Sequence, residues 1–123
     1  MAEHQPYVRA VVAQWTNDPA PEVTEASFTD QVLELAKLLR WTSTHFRPAR
    51  TSHGWRTPVS GDGAGFPDIL LIRRDRLVVA ELKARRGRLT HEQLAWLDLF
   101  RGTGAEAYVW RPADLDDIAR ILR

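Results

Sequence analysis

Two apolar runs, "ILLI" and "LVVAEL", stand only four residues apart, separated by "RRDR" at positions 73–76. Short apolar runs bounded by a polar turn read as paired strands buried on both faces. A two-residue turn at Arg74 and Asp75 sets Ile72 opposite Leu77, Leu70 opposite Val79 and Asp68 opposite Glu81. Opposed residues point to the same sheet face, with Cβ atoms about 4.5–5.5 Å apart. Lys83 is two residues beyond Glu81 and shares that face. The hairpin therefore fixes the centre of the fold and gathers three charged groups at its open end. Buried charge costs stability unless something pairs with it.

The flanking sequence surrounds this hairpin with helices. Phe28, Val32, Leu35, Ala36 and Leu39 recur at helical spacing, with Thr24 or Ser27 as N-cap. "WTSTHF" (41–46) follows as a β-prone segment. Residues 47–66 carry four of the seven glycines and read as a long irregular loop. The strands span 68–73 and 77–83. A helix over about 91–101 is capped by Thr90 and closed by Gly102 or Gly104. "EAYVW" (106–110) is a strand, and Leu115, Ile118, Ala119 and Leu122 line one face of a terminal helix. The order helix, strand, strand, strand, helix, strand, helix predicts an α/β fold, with a small mixed central β-sheet flanked by helices. Residues 5–16 predict a further short helix through Val8, Val11, Val12 and Trp15, and the proline-bearing "NDPAPEVT" (17–24) reads as a linker. The expected organisation is an N-terminal helix and linker over 1–22 and one domain over 23–123.

Composition narrows the class. There is no cysteine, so neither a disulfide framework nor a thiolate metal site is available. No apolar run has the length of a membrane span and no signal-peptide pattern opens the chain, so a soluble cytoplasmic protein without membrane contact is expected. The net charge of +1 conceals an asymmetry: residues 1–34 hold six acids and one base, whereas 73–88 hold seven bases and two acids. Such a basic segment attracts polyanions, or it is simply a solvated hairpin tip and loop.

Two carboxylates held as close as Asp68 and Glu81 repel unless a cation lies between them. A hard divalent ion with oxygen ligands removes the repulsion, polarises a phosphoryl oxygen and lowers the pKa of a bound water. A nearby lysine can steady the attacking water or neutralise charge developing on phosphorus. Together the three groups describe a site that hydrolyses phosphodiesters. The purely structural alternative makes Asp68 a strand start and Glu81–Lys83 a surface ion pair.

The blocks "GFPD", "VVAELKA" and "GRLTHEQ", in that order behind an amphipathic helix, resemble the VRR-NUC branch of the PD-(D/E)xK nuclease superfamily. The resemblance spans roughly residues 24–112. It implies a restriction-endonuclease-like fold and Mg²⁺-dependent DNA cleavage, with Mn²⁺ able to substitute. It assigns metal binding to Asp68 and Glu81 and the catalytic lysine to Lys83. The backbone carbonyl of Leu82, between Glu81 and Lys83, would add a metal ligand. Small members are similar to Holliday-junction resolvases, which work as homodimers, and are often encoded by phages and bacteria; a homodimer in a bacterial cytoplasm is the corresponding expectation.

The family also tends to carry an acid on its first helix. Helical phase sets Glu25 on the apolar stripe that packs on the sheet and Glu34 on the solvent side, which favours Glu25 as an extra metal or water ligand. Glu25 would equally suit the helix dipole in the first turn. Many related nucleases carry an acid or amide where Thr29 stands. Thr90 and Gln93 fit a capping box, yet Gln93 shares a face with Trp96, Leu97 and Phe100, so its amide should point inward toward the sheet. The resemblance implies that the "EQ" pair lies near the catalytic lysine, which would give Gln93 a part in the active site.

In the 47–66 loop, Arg47, Arg50, Trp55 and Arg56 suit backbone clamping and stacking on an unpaired base, or are solvated. His45 or His53 could serve as a general base, although the mechanism requires none. Arg85, Arg86 and Arg88 would hold flanking phosphates. Gly65 is expected to permit a positive φ or close approach to DNA. Trp15, Trp41, Trp96 and Trp110 read as core or interface anchors. The sequence thus predicts a metal-dependent DNA endonuclease selective for branched or four-way DNA. The alternatives are an exonuclease or DNA-end-processing enzyme of the same superfamily, or a non-catalytic DNA-binding subunit.

Overall fold

The computed structural model describes residues 23–46, 49–51, 54–56 and 61–123. The elements are α1 (Glu25–Leu38), β1 (Thr42–His45), β2 (Ala49–Thr51), β3 (Gly54–Arg56), β4 (Ile69–Arg73), β5 (Arg76–Leu82), α2 (His91–Gly102), β6 (Glu106–Trp110), a 3₁₀ turn (Pro112–Asp114) and α3 (Leu115–Leu122). The expected helix over 5–16, with Trp15, and most of the linker lie outside the described residues, as do Arg47 and His53.

Four strands form one mixed sheet in the order β1-β4-β5-β6. β1 and β5 both run antiparallel to β4, and β6 runs parallel to β5. That parallel pair needs a crossover, which α2 supplies. This is the expected small α/β, restriction-endonuclease-like architecture. The hairpin register is also the one read from sequence: Ile72 opposes Leu77 and Leu70 opposes Val79. Within the region expected to be an irregular loop, β2 and β3 pair as a separate two-stranded hairpin.

Alternation along β4 and β5 sorts side chains onto two faces. Ile69, Leu71, Val78, Ala80 and Leu82 pack against α1 and α3, where Phe28, Val32, Leu35, Ile118 and Leu122 complete the larger core. Val79 and Ala107, with Leu70 and Leu77, pack instead under Leu97 and Phe100 of α2. Each fully buried side chain of this size contributes about 1.5–3 kcal/mol.

α1 ends in a Schellman motif. Arg40 takes the left-handed conformation at φ 67°, while Arg40 N donates to Lys37 O and Trp41 N to Ala36 O. Trp41 is buried and donates from Nε1 to Leu122 O at 2.8 Å. The guanidinium groups of Arg73 and Arg76 lie over its ring at 4.6 and 4.9 Å. Arg73 donates to the carbonyls of Leu39, Leu122 and Arg123, and Arg76 to that of Ile121 and to both oxygens of Glu106. The basic run of 73–88 is therefore two groups at opposite ends of β5. Arg73 and Arg76 tie the helix C-termini together, so the part of the run open to polyanions is smaller than the sequence suggests.

Candidate active site

At the other end of the hairpin, β4 begins one residue after Asp68 and β5 ends one residue after Glu81. Extending the ladder past Ile69–Ala80 sets the two acids opposite each other, on the face covered by α2. Asp68 Oδ2 accepts a hydrogen bond from Leu82 N at 2.9 Å, and the Asp68 carbonyl accepts from Phe46 N at 2.9 Å. The carboxylate is thus fixed to β5 and its backbone to β1.

Glu81 is only 2% exposed. Its Oε1 accepts from Gln93 Nε2 at 2.9 Å and lies 3.8 Å from Lys83 Nζ. Its Oε2 is buried and receives no hydrogen bond from the described residues. Burial, and then the adjoining Asp68 carboxyl, push the Glu81 carboxyl up to about 9, against a downward pull from Lys83. A carboxylate with this many reasons to stay protonated marks a site short of positive charge.

Gln93 performs both tasks that its position in α2 suggests. Thr90 Oγ1 accepts from Gln93 N at 3.1 Å, and Gln93 Oε1 accepts from Thr90 N at 2.9 Å, closing a capping box. With its oxygen held there, the amide nitrogen is turned toward Glu81.

Gly65 explains how α2 comes so close. It adopts φ +82°, and a Cβ there would lie 2.6 Å from Glu92 C and 2.7 Å from Gln93 N. The positive φ expected at Gly65 is present, and the close backbone approach seen in the structure is to α2. Phe66 then packs edge-on against Phe46, Trp96 and Phe100, with centroids 5.2, 5.0 and 5.8 Å away. Trp96 Nε1 donates to the carbonyls of Asp62 and Ala64. The loop bearing Asp68 and the helix bearing Gln93 are therefore one packed unit.

Glu25 is exposed, and the buried stripe of α1 is Phe28, Thr29, Val32, Leu35 and Ala36. The stripe packs on the opposite sheet face, and Glu25, in the first turn, lies at its margin rather than within it. Its charge adds only the smallest upward push on Glu81. Thr29 is buried, with its hydroxyl donating to Glu25 O at 2.8 Å. Among the described residues, no group of three or more His, Asp or Glu side chains forms a metal-ligand cluster. His45 opposes Ile69, which belongs to the α1 side, so His45 faces away from the acids. Arg85, Arg86 and Arg88 are exposed beyond Lys83. For Arg50, Trp55 and Arg56 the structure describes only their places in β2 and β3.

The tryptophans Trp41 and Trp110 are core residues, as expected, and Trp96 is half-buried in the aromatic contact with Phe66. The capping box read from the Thr90–Gln93 spacing is present. Sequence reasoning missed the main-chain N–H of Leu82 that orients Asp68, because a backbone donor leaves no signature in side-chain identity.

A scan of family models matches the VRR-NUC domain over residues 6–114. The chain belongs to the VRR-NUC family. VRR-NUC domains form a nuclease family, and the three blocks that suggested the resemblance all fall within the match. Neither the curated proteins nor the solved structures give a match. No helix among the described residues is long and apolar enough to cross a membrane.

Proposed function

We propose that this VRR-NUC domain is a metal-dependent DNA endonuclease whose centre is Asp68, Glu81 and Lys83, assisted by Gln93. One observation carries the reading: the buried Glu81 Oε2 receives no hydrogen bond from the described residues, stands against a second carboxyl and has an amine 3.8 Å from Oε1. A buried carboxyl pressed against a second one in this way fits a cation between them better than a structural role.

The donor set suits Mg²⁺, with Mn²⁺ as a substitute. Mg²⁺ typically takes one or two carboxylates and fills its remaining positions with water and substrate phosphate. Glu81 Oε1 and Asp68 Oδ2 are already engaged by Gln93 and Leu82 N. The second oxygen of each would hold the ion, with the Leu82 carbonyl as a further ligand. Glu25, outside any three-acid cluster among the described residues, would act through a bridging water or its charge. A bound divalent ion supplies Lewis acidity at the phosphate and a more acidic water.

The chain's own groups do the rest. Lys83 is 13% exposed at its side chain; it would orient the attacking water and offset charge growing on the phosphate oxygens. Gln93 would keep Glu81 turned toward the ion. Arg85, Arg86 and Arg88 would grip flanking phosphates, joined by Arg47, Arg50, Trp55 and Arg56 from the 47–66 region. Attack in line with the 3′ oxygen would leave 5′-phosphate and 3′-hydroxyl ends. One site per chain cuts one strand, so a twofold homodimer would cut two strands of a junction together.

The test is a panel of linear, flapped and four-way DNAs, with Mg²⁺, Mn²⁺ or EDTA, for wild type, Asp68→Ala and Lys83→Ala. Internal cuts in branched DNA by wild type alone, abolished by EDTA, support the reading. Cleavage confined to free ends replaces it with an exonuclease. Binding without cleavage by all three proteins rejects catalysis.

A further inference from the structure

The β5–β6 ladder continues one residue beyond the strands, where Lys83 N donates to Trp110 O at 3.0 Å. The next residue along from Trp110 is Arg111, which reaches back across the chain to donate from Nη1 to Ala84 O at 2.8 Å. Gly87 N donates to the same carbonyl at 3.0 Å. Two donors use both lone pairs of that oxygen and close the tight turn Ala84–Gly87.

This turn lies directly along Lys83. A Cβ at Gly87 would stand 3.2 Å from Lys83 Cδ and 3.5 Å from Lys83 Cβ. Gly87 therefore faces the aliphatic stem of the lysine, and a side chain there would crowd that stem. Arg111 is itself anchored, because its N–H donates to Asp114 Oδ2 at 2.8 Å at the start of the 3₁₀ turn. A rigid strand end thus holds, through one guanidinium, the turn that backs the amine.

We propose that Arg111 is a positioning residue for Lys83: by clamping Ala84 O it presses the Ala84–Gly87 turn against the lysine stem and holds Nζ beside Glu81. The inference rests on the nuclease reading for the role of Lys83, and on the geometry alone for the clamp. A lysine free to swing would lose orientation at the reacting phosphate without losing its charge.

The test compares wild type with Arg111→Met, which keeps an apolar stem and removes the donors, and Arg111→Lys, which restores one donor. Amide exchange at Gly87 should quicken about tenfold in Arg111→Met and return near wild type in Arg111→Lys, while the amides of Leu71 and Val78 in the sheet stay protected. Single-turnover cleavage should fall about tenfold in Arg111→Met, with DNA affinity changed less than about threefold and the rate largely recovered by lysine. Unchanged Gly87 exchange overturns the clamp whether or not DNA is cut. So does loss of Leu71 and Val78 protection in step with Gly87, which marks a general stability role. Faster Gly87 exchange with undiminished cleavage overturns the positioning role and leaves the nuclease reading intact. A wild-type protein that cuts no DNA contradicts the nuclease reading itself and removes the role with it.

Discussion

Gln93 touches Glu81 with its amide nitrogen at 2.9 Å while its amide oxygen closes the cap of α2 on Thr90. One side chain thereby links the start of a helix to the most buried acid of the site. Gln93→Glu separates the two tasks, since a carboxylate can still accept from Thr90 N but cannot donate to Glu81. Loss of a hydrogen bond to a charged group costs about 1.5–3 kcal/mol, which corresponds to about a 10–100-fold loss of rate. Steady-state cleavage kinetics should show that loss while far-UV circular dichroism shows α2 retained.

The raised Glu81 pKa makes a signed prediction about pH. The folded carboxyl, with its pKa up to about 9, binds its proton more tightly than the unfolded one, with the ordinary value of 4.5. Stability from this group is therefore complete below the unfolded value and declines as pH rises toward 9. Glu81→Gln carries no charge at any pH. Without metal it should be more stable than wild type by about 1–3 kcal/mol at pH 8 and nearly equal to it at pH 4. Urea unfolding in EDTA at several pH values measures the difference. Added Mg²⁺ should then raise the midpoint of wild type and leave Glu81→Gln unmoved.

Gly65 meets α2 too closely for any side chain. Gly65→Ala combines a left-handed backbone with a Cβ 2.6 Å from Glu92 C, and should cost about 2–4 kcal/mol. Chemical denaturation gives the loss. The Gln93 side-chain amide resonance should shift with it, because the loop and the first turn of α2 move apart together.

Arg40 occupies a position that ordinarily calls for glycine. At φ 67°, as the left-handed residue of the Schellman motif, it carries strain that Arg40→Gly removes. The variant should gain about 0.5–1 kcal/mol. Thermal unfolding should show a midpoint higher by a few degrees.

The sequence makes some of this legible and conceals the rest for physical reasons. The β4–β5 register follows from a period of two and a two-residue turn, so Ile72 opposite Leu77 is readable, and Asp68 opposite Glu81 follows. The inward face of α3 is equally readable from Leu115, Ile118, Ala119 and Leu122, all of which are buried. The pairing of β2 with β3 was not, because its short strands lie in a glycine-rich stretch that reads as a loop. Helical phase alone places Glu25 on the apolar stripe, but the first turn of a helix can lie at the margin of what it covers. Arg111 contacts Ala84 across 27 residues, and no local pattern announces a contact made by the meeting of two strand ends. The division of the basic run likewise depends on Arg73 and Arg76 folding over Trp41, a tertiary contact.

Single-turnover cleavage of a branched DNA by wild type and Lys83→Met, across a Mg²⁺ titration, tests the central claim most directly. The account predicts a wild-type rate that rises with Mg²⁺ and vanishes in EDTA, and a Lys83→Met rate lower by about 10²–10³-fold with DNA affinity nearly unchanged. Wild-type cutting that persists in EDTA, or Lys83→Met cutting at the wild-type rate, would contradict it.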